Sequence, residues 1–388
     1  MAEGQEALPG TTSLRKRWQV WTFSIAFGLV LFGFVGSNLL ALFQGQFQKT
    51  QANGWKGFAS GKPMQALAED LRSTPLAEWL AQRQSELGWL ILGDLGPRVR
   101  QGCPGWLFLF DELQQHLQAE QNLRQRLKIA IELNKHLRLG GHKLLIILVP
   151  DKTRIEQDHL CSLPRPPSLD ARYARWIQGL TDAGVEALDL RPALIRAKQG
   201  TGAAYFHTDT HWNLPGAHAA ATAVAEKIKA KGFVSNTPLQ FQLQNLEERP
   251  YWGDLVRLAG LERLPEALRP APDRLADIQF NIKATQPGHE LDAQALFGEQ
   301  KDERVFLVGT SFSRNAHFSD FLSQGLATEV INLAKEGGGF AQSMAYFLTH
   351  KGELTSSPTW IVWELTERCL HEPLSEHDLA LLAMVGRA

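Results

Sequence analysis

Hydrophobic and polar positions divide this chain into three regimes. From Trp21 to Phe43 no residue is charged, and Phe, Leu, Val and Gly fill nearly every face a helix could present. A run of that length and uniformity predicts a membrane-spanning helix over 18–43. Between residues 44 and 100 the uniformity is lost. Gly54, Gly57, Gly61 and Pro63 break this part into a stalk and peripheral helices. From about residue 101 to residue 388, short apolar runs alternate with amphipathic stretches, as strands and helices do.

Within that last part, Gly105 to Phe110 reads as a buried edge strand. Leu123, Leu127, Ala130, Ile131, Asn134 and Leu137 recur at helical spacing, and Gly140-Gly141 stops them. Leu144 to Val149 is an apolar run of strand length closed by Pro150. Tyr173 to Leu180 and Pro192 to Lys198 predict helices, and Val185 to Leu190 and Ala203 to Phe206 predict strands. Ala217, Ala221, Val224 and Ile228 mark a helix opened by Pro215 and ended by Gly232. Residues 233–303 carry little regular pattern and read as an insertion. Strands follow at Arg304 to Val308, Thr328 to Leu333 and Thr359 to Trp363, with helices at Phe318 to Leu326 and Phe340 to His350. Such alternation predicts an α/β domain whose mostly parallel sheet is covered on both faces. Chemistry in these sheets lies at the carboxyl ends of the strands.

Charge narrows the functional classes. With 40 Lys and Arg against 41 Asp and Glu, the formal net charge is -1. No basic field is present to recruit nucleic acid through its phosphates. Charge also orients the apolar span. Arg15-Lys16-Arg17 precedes it and the neutral Gln44 to Gln48 follows it. Residues 1–17 are therefore expected in the cytoplasm and everything after Phe43 outside it. A cleaved signal peptide is the competing reading, but its apolar core would be shorter and end in a small-x-small site. Cys103, Cys161 and Cys369 form no metal-type spacing, and at most one intrachain disulfide can form. Each reads as a small buried apolar residue.

The chemistry concentrates in Tyr205-Phe206-His207-Thr208-Asp209-Thr210-His211-Trp212-Asn213. Residues two apart in an extended segment share a side, so the Asp209 carboxylate can hold the His211 ring and stabilise its charged form. That is half of a nucleophilic triad. Ser311, after the apolar strand and the turn Gly309-Thr310, is a candidate for the other half. Backbone N–H groups after such a turn can bind an oxyanion. A rival reading uses His207, Asp209 and His211 together as metal ligands. Gly337-Gly338-Gly339 reads as a tight turn or an anion cradle. Asp151-Lys152-Thr153-Arg154 ends a strand, with charges that line a cleft or cap a loop. Glu364 and Arg368 read as an ion pair.

Asp209-Thr210-His211-Trp212-Asn213, Gly309-Thr310-Ser311-Phe312-Ser313 and Trp363-Glu364-Leu365-Thr366-Glu367-Arg368 together resemble the alginate O-acetyltransferases of the AlgJ and AlgX type. Gly105-Trp106-Leu107-Phe108 and Gly253-Asp254-Leu255 fit the same pattern, and the resemblance covers roughly residues 100 to 370. It implies an SGNH-hydrolase-like three-layer α/β/α domain with permuted motif order, Asp-x-His preceding the Ser. It implies that Asp209, His211 and Ser311 form the catalytic triad, without metal or other cofactor. It further implies acetylation of an exopolysaccharide, alginate or similar, in the bacterial periplasm. The single inner-membrane anchor resembles the AlgJ arrangement. Its partners would be a membrane-bound O-acyltransferase that exports acetyl groups and other polymer-modification proteins. Phe312 stands where the family leads one to expect Tyr, and Leu365-Thr366 where an apolar residue and Pro are expected. These departures bear on the identity of the polymer. Trp212, Phe312, Arg154 and Glu364 are the candidate substrate-binding residues. The expected activity is acetyl transfer through an acetyl-serine. The alternatives are an acetylesterase of the same architecture and a non-catalytic glycan-binding assembly protein.

Overall fold

The computed structural model describes residues 18, 21–29, 31–33, 35–36, 68, 70, 73–235, 237–283, 304–355, 357 and 359–386. The chain divides into two units, Met1–Asp94 and Leu95–Ala388. In the first, residues 21–29 and 31–33 are helical, with Trp21, Phe23, Phe27 and Phe32 exposed. Helix α1 (Pro75–Leu92) ends at Gly93, which adopts the left-handed conformation that glycine tolerates best. The expected cytoplasmic tail, the end of the expected span and most of the stalk lie outside the described residues. Among the described residues no helix is long and apolar enough to cross a membrane.

The second unit contains strands β1 (Val99–Gln101), β2 (Leu107–Leu109), β3 (Lys143–Val149), β4 (Ala187–Asp189), β5 (Gln240–Tyr251), β6 (Asp273–Lys283), β7 (Arg304–Val308), β8 (Val330–Asn332) and β9 (Thr359–Thr366). Its helices are α2 (Ala119–Leu139), α3 (Lys152–Ile155), α4 (Asp170–Asp182), α5 (Arg191–Thr201), α6 (Leu214–Ala230), α7 (Asp254–Leu258), α8 (Phe318–Leu326), α9 (Gln342–Leu354) and α10 (Glu376–Val385). Five strands form the central sheet in the order β4-β3-β9-β7-β8, every pair parallel.

The sequence dictates this sandwich. β3 is apolar from Leu144 to Val149, so alternate side chains bury on opposite faces and both faces need cover. Leu145, Ile147 and Val149 join Val305, Leu307 and Val362 in a core with residues of α5, α6 and α8. Leu144, Ile146 and Leu148 join Phe306, Val308, Ile361 and Trp363 in the opposite core with residues of α2, α4, α9 and α10. The result is an α/β/α arrangement. The small residues Ala217, Ala220 and Ala221 on α6 are all fully buried in the first core, which lets that helix approach its neighbours closely.

Four sequence expectations change. Ala203 to Phe206 is not a strand. Its backbone N–H groups at Ala204 and Tyr205 donate to Glu156 Oε1 at 2.8 and 3.2 Å, and only an isolated bridge joins Tyr205 to Trp212. The run is apolar because it is buried, while a carboxylate supplies the acceptor a neighbouring strand would have supplied. Second, the stretch 233–303 holds the long antiparallel ribbon β5–β6, with residues 284–303 outside the described ones. Most of β5 is solvent-exposed, so it leaves little hydrophobic signal. Third, β9 runs beyond Trp363 to Thr366, because Glu364, Leu365 and Thr366 still pair with Ile147, Leu148 and Val149. Fourth, Cys103 and Cys161 are joined in a disulfide, while Cys369 is the buried free thiol.

Candidate active site

The chain leaves β7 at Val308 and turns at Gly309. A Cβ added there would lie 2.5 Å from Glu364 Oε2 and 2.7 Å from Ser313 Oγ, so a side chain cannot fit without displacing both. Glu364 is fully buried in β9, directly beneath this turn. Its Oε2 accepts the Thr310 N–H at 2.6 Å and the Ser313 hydroxyl at 3.0 Å, and the Thr310 hydroxyl also lies 3.0 Å away. Burial raises the Glu364 pKa, and these bonds act against the rise. The 3-10 turn Ser311–Ser313 follows, and Ser311 faces a cleft of about 820 Å³.

The facing loop is held from both ends. Asn213 Oδ1 caps α6 by accepting the Gly216 N–H at 2.9 Å. Trp212 wedges between Phe312 and Phe318, with ring centroids 5.1 and 4.8 Å away. Between these anchors and Phe206, the loop aims Asp209 and His211. Asp209 Oδ1 accepts both the His211 N–H at 2.8 Å and Nδ1 at 2.6 Å. His211 Nε2 lies 2.7 Å from Ser311 Oγ. Carboxylate, imidazole and hydroxyl thus form one hydrogen-bonded row across the gap between β7 and the loop. With Asp209 accepting at Nδ1, Nε2 is the nitrogen left free to take a proton from Ser311. Burial by itself lowers the His211 pKa; the bond and the charge of Asp209 outweigh it, and the net shift is upward. Burial would likewise raise Asp209, yet His211 and a Tyr251 bond hold its carboxyl well below the usual range.

Three further groups support this row; the sequence singled out the segments of Asp254 and Lys152 without giving either a place beside Asp209, and Tyr251 was missed altogether. Tyr251, at the end of β5, donates its hydroxyl to Asp209 Oδ2 at 2.5 Å, and the Asp254 N–H reaches the same oxygen at 3.0 Å. Gly253 permits the approach, since a Cβ there would fall 2.3 Å from Asp209 Cβ. Asp254 binds the Thr210 N–H and hydroxyl at 2.8 and 2.6 Å and comes within 3.9 Å of His211 Nδ1. Lys152 is fully buried and donates to the carbonyls of Leu107, His207 and Asp209 at 2.6, 2.9 and 2.9 Å. Burial lowers its pKa to about 8. The motif Gly253-Asp254-Leu255 signalled the Asp254 turn; nothing local signalled Tyr251.

The four candidate substrate contacts are corrected. Trp212 and Phe312 are buried in the core behind the row and do not flank a groove. Arg154 makes a two-pronged bond to Glu367, at 2.8 and 2.6 Å, and its Nη2 also reaches the Leu169 carbonyl at 2.9 Å. Glu364 holds the Ser311 turn and is not bonded to Arg368, which instead approaches Glu112 at 3.9 Å. The cleft is lined instead by Arg98, Arg249, Arg257, Arg269 and Arg368, by Asp111, Asp254, Glu262 and Glu336, and by Trp252 and Gly337. The rival set of His207, Asp209 and His211 does not converge. His207 turns to Asp273, 2.6 Å away, and among the described residues the cluster at the site is Asp209, His211 and Asp254. Asp209 Oδ1 is engaged with His211 Nδ1, and the Asp254 carboxylate with the Thr210 N–H and hydroxyl.

A parallel α/β sheet carrying a Ser after one strand and an Asp-x-His on a facing loop defines an SGNH-hydrolase-like protein. The family model of the SGNH hydrolase-like domain, acetyltransferase AlgX, matches residues 99–367, and the chain belongs to that family. It is 34% identical over 299 residues to the probable alginate O-acetylase AlgJ of Pseudomonas syringae pv. tomato, covering 75% of this chain and 74% of that protein. The protein of the same name from Pseudomonas aeruginosa is 31% identical over 296 residues, covering 74% of this chain and 75% of the relative. Among solved structures, the O-acetyltransferase domain of Pseudomonas putida AlgJ superposes with a TM-score of 0.64 at 27% identity, covering 75% of this chain and 100% of that one. Pseudomonas aeruginosa AlgX superposes with a TM-score of 0.51 at 23% identity, over 69% of this chain and 62% of that one, and shares the fold.

Proposed function

We propose that this chain is an O-acetyltransferase that moves acetyl groups onto hydroxyls of an exopolysaccharide, alginate or a close chemical relative, through an acetyl-Ser311 intermediate. The observation that carries the proposal is the row from Asp209 through His211 to Ser311, with contacts of 2.6 and 2.7 Å, opening on the cleft. The names of the relatives support the reaction and the polymer.

Ser311 Oγ attacks the carbonyl carbon of an acetyl donor while His211 Nε2 takes its proton. The leaving group departs with that proton. A sugar hydroxyl then attacks the acetyl-Ser311 carbonyl, gives its proton to His211, and Ser311 Oγ recovers it as the ester to the sugar forms. Asp209 keeps the imidazole in the required tautomer and balances its charge at both steps. Water competes at the second step, so the acceptor must be held in place; orientation reaches effective molarities on the order of 10⁵ M. The cleft carries Arg98, Arg249, Arg257, Arg269 and Arg368 alongside Asp111, Asp209, Asp254, Glu262 and Glu336, so its guanidinium groups offer two-pronged partners to sugar carboxylates without a net positive field behind them.

The same reading places the domain in the periplasm, anchored in the inner membrane by 18–43 and supplied by a membrane-bound acyltransferase that exports acetyl groups. The charge-free run, the preceding Arg15-Lys16-Arg17 and the Cys103–Cys161 disulfide, a bond that persists in oxidising compartments, support this.

The test is acetylation of uronate oligosaccharides by the full chain with an activated acetyl ester, read by mass spectrometry. The expected result is acetylated sugar from wild type, none from Ser311→Ala or His211→Ala, and only a residual amount from Asp209→Asn. Free acetate alone, at a rate indifferent to the sugar, would assign the chain to the esterases.

A further inference from the structure

The Asp209 carboxylate is shared between two partners on opposite sides. Oδ1 faces His211, and Oδ2 accepts the Tyr251 hydroxyl at 2.5 Å. Tyr251 belongs to the ribbon inserted between the Asp-x-His loop and the Ser strand, 42 residues from Asp209 in the chain. The contact is built in. Gly253 admits the ribbon against Asp209, the Asp254 N–H takes the second position on Oδ2, and the Tyr251 ring packs on Phe206 at 5.1 Å.

We propose that Tyr251 is a positioning residue that holds the outer oxygen of Asp209 and thereby sets how firmly His211 keeps its proton. The inference rests on the reading of Asp209, His211 and Ser311 as the catalytic row. A hydrogen bond to a carboxylate withdraws charge from it. With Tyr251 in place, less of the Asp209 charge acts on the His211 Nδ1–H, and the imidazole remains a neutral base over a wider range. The other charged groups about the row are Asp254, which raises the proton affinity of His211, and Arg368, which lowers it. Lys152 lies on the backbone side of Asp209, and Asp273 faces Tyr251 and Lys152 from β6. All of these remain in place when only the hydroxyl is removed.

The test is Tyr251→Phe in the full chain, which keeps the ring and its packing on Phe206. The pH dependence of kcat/KM for a small acetyl ester reports the base of the free enzyme. The acid limb should move upward by about half a pH unit, roughly a threefold gain in proton affinity. KM for the ester and for the oligosaccharide should not change. In the Asp209→Asn background the same change should leave the residual rate and profile untouched, because the hydroxyl acts through the carboxylate. An unmoved or downward-shifted limb overturns the proposal, as does a raised KM for the oligosaccharide, which would place the hydroxyl on the substrate. Turnover that survives Ser311→Ala would defeat the functional reading itself. A Ser311-dependent wild type whose profile ignores Tyr251 would defeat only this inference.

Discussion

Replacing Glu364 tests whether the nucleophile turn is held from below. The carboxylate is fully buried and Oε2 accepts the Thr310 N–H at 2.6 Å and the Ser313 hydroxyl at 3.0 Å. In Glu364→Leu these two donors and the Thr310 hydroxyl stay buried without the carboxylate. Each such orphan costs about 1–3 kcal/mol, so the variant should lose roughly 4 kcal/mol. Glu364→Gln keeps an acceptor oxygen and sheds a charge that burial already disfavours, and should lose about 1 kcal/mol. The difference between two residues of similar size isolates the acceptor. The turn also sets the Ser311 Oγ position, and a shift of about 1 Å lowers the rate on the order of 10²-fold. Guanidinium unfolding followed by tryptophan fluorescence reads the first effect, and the rate at which Ser311 gains an acetyl group reads the second. If Leu and Gln variants unfold within about 1 kcal/mol of each other and acylate at the wild-type rate, the turn does not depend on Glu364.

Four further outcomes follow. His211 has a raised pKa, so kcat/KM should climb with pH through a midpoint above the ordinary value of about 6.5, measured by ester hydrolysis across pH. The stability linkage runs the other way: the favourable His211 contribution is full below about 6.5 and is lost as pH rises through the folded-state value, which thermal melts across pH would follow. Gly253→Ala should destabilise the chain by about 1–3 kcal/mol and slow acylation, because its Cβ meets Asp209 at 2.3 Å; denaturant midpoints and acyl-enzyme rates check both. Cys103→Ser with Cys161→Ser opens a link of sequence separation 58, a loss of about 4 kcal/mol by the chain-entropy model, visible as a lower unfolding midpoint.

The elements that bury apolar residues on a regular period were legible. Arg304 to Val308 and Phe318 to Leu326 match the observed strand and helix end for end. The hydrogen-bonded row was also within reach, because Asp209 and His211 are two residues apart and Ser311 follows a strand. The surrounding support was not. Glu364 reads from sequence as the ion-pair partner of Arg368 and a substrate contact, because its three hydrogen bonds go to residues more than fifty positions away. Tyr251 ends a strand that pairs by backbone bonds and is mostly exposed to solvent, leaving little hydrophobic period. Trp212 and Phe312 were misread for the opposite reason: aromatic residues beside a reactive motif suggest a sugar platform, yet here they form the wall that sets the motif in place. Pairing Cys103 with Cys161 needed the fold, since spacing alone does not select partners.

The strand order has a consequence for the making of the protein. β9 lies between β3 and β7, yet it follows β3, β4, β7 and β8 in the chain. The β3–β4 pair and the β7–β8 pair share no hydrogen-bonded edge until Thr359 to Thr366 arrives between them. A chain still emerging therefore has two open sheet edges, and Glu364 is not yet available to seat Ser311. Contacts spanning more than two hundred residues fold slowly, which lengthens the time those edges stay exposed to aggregation. The Ser311 turn is thus seated only once β9 has been made, so no fragment ending before β9 can carry the assembled row.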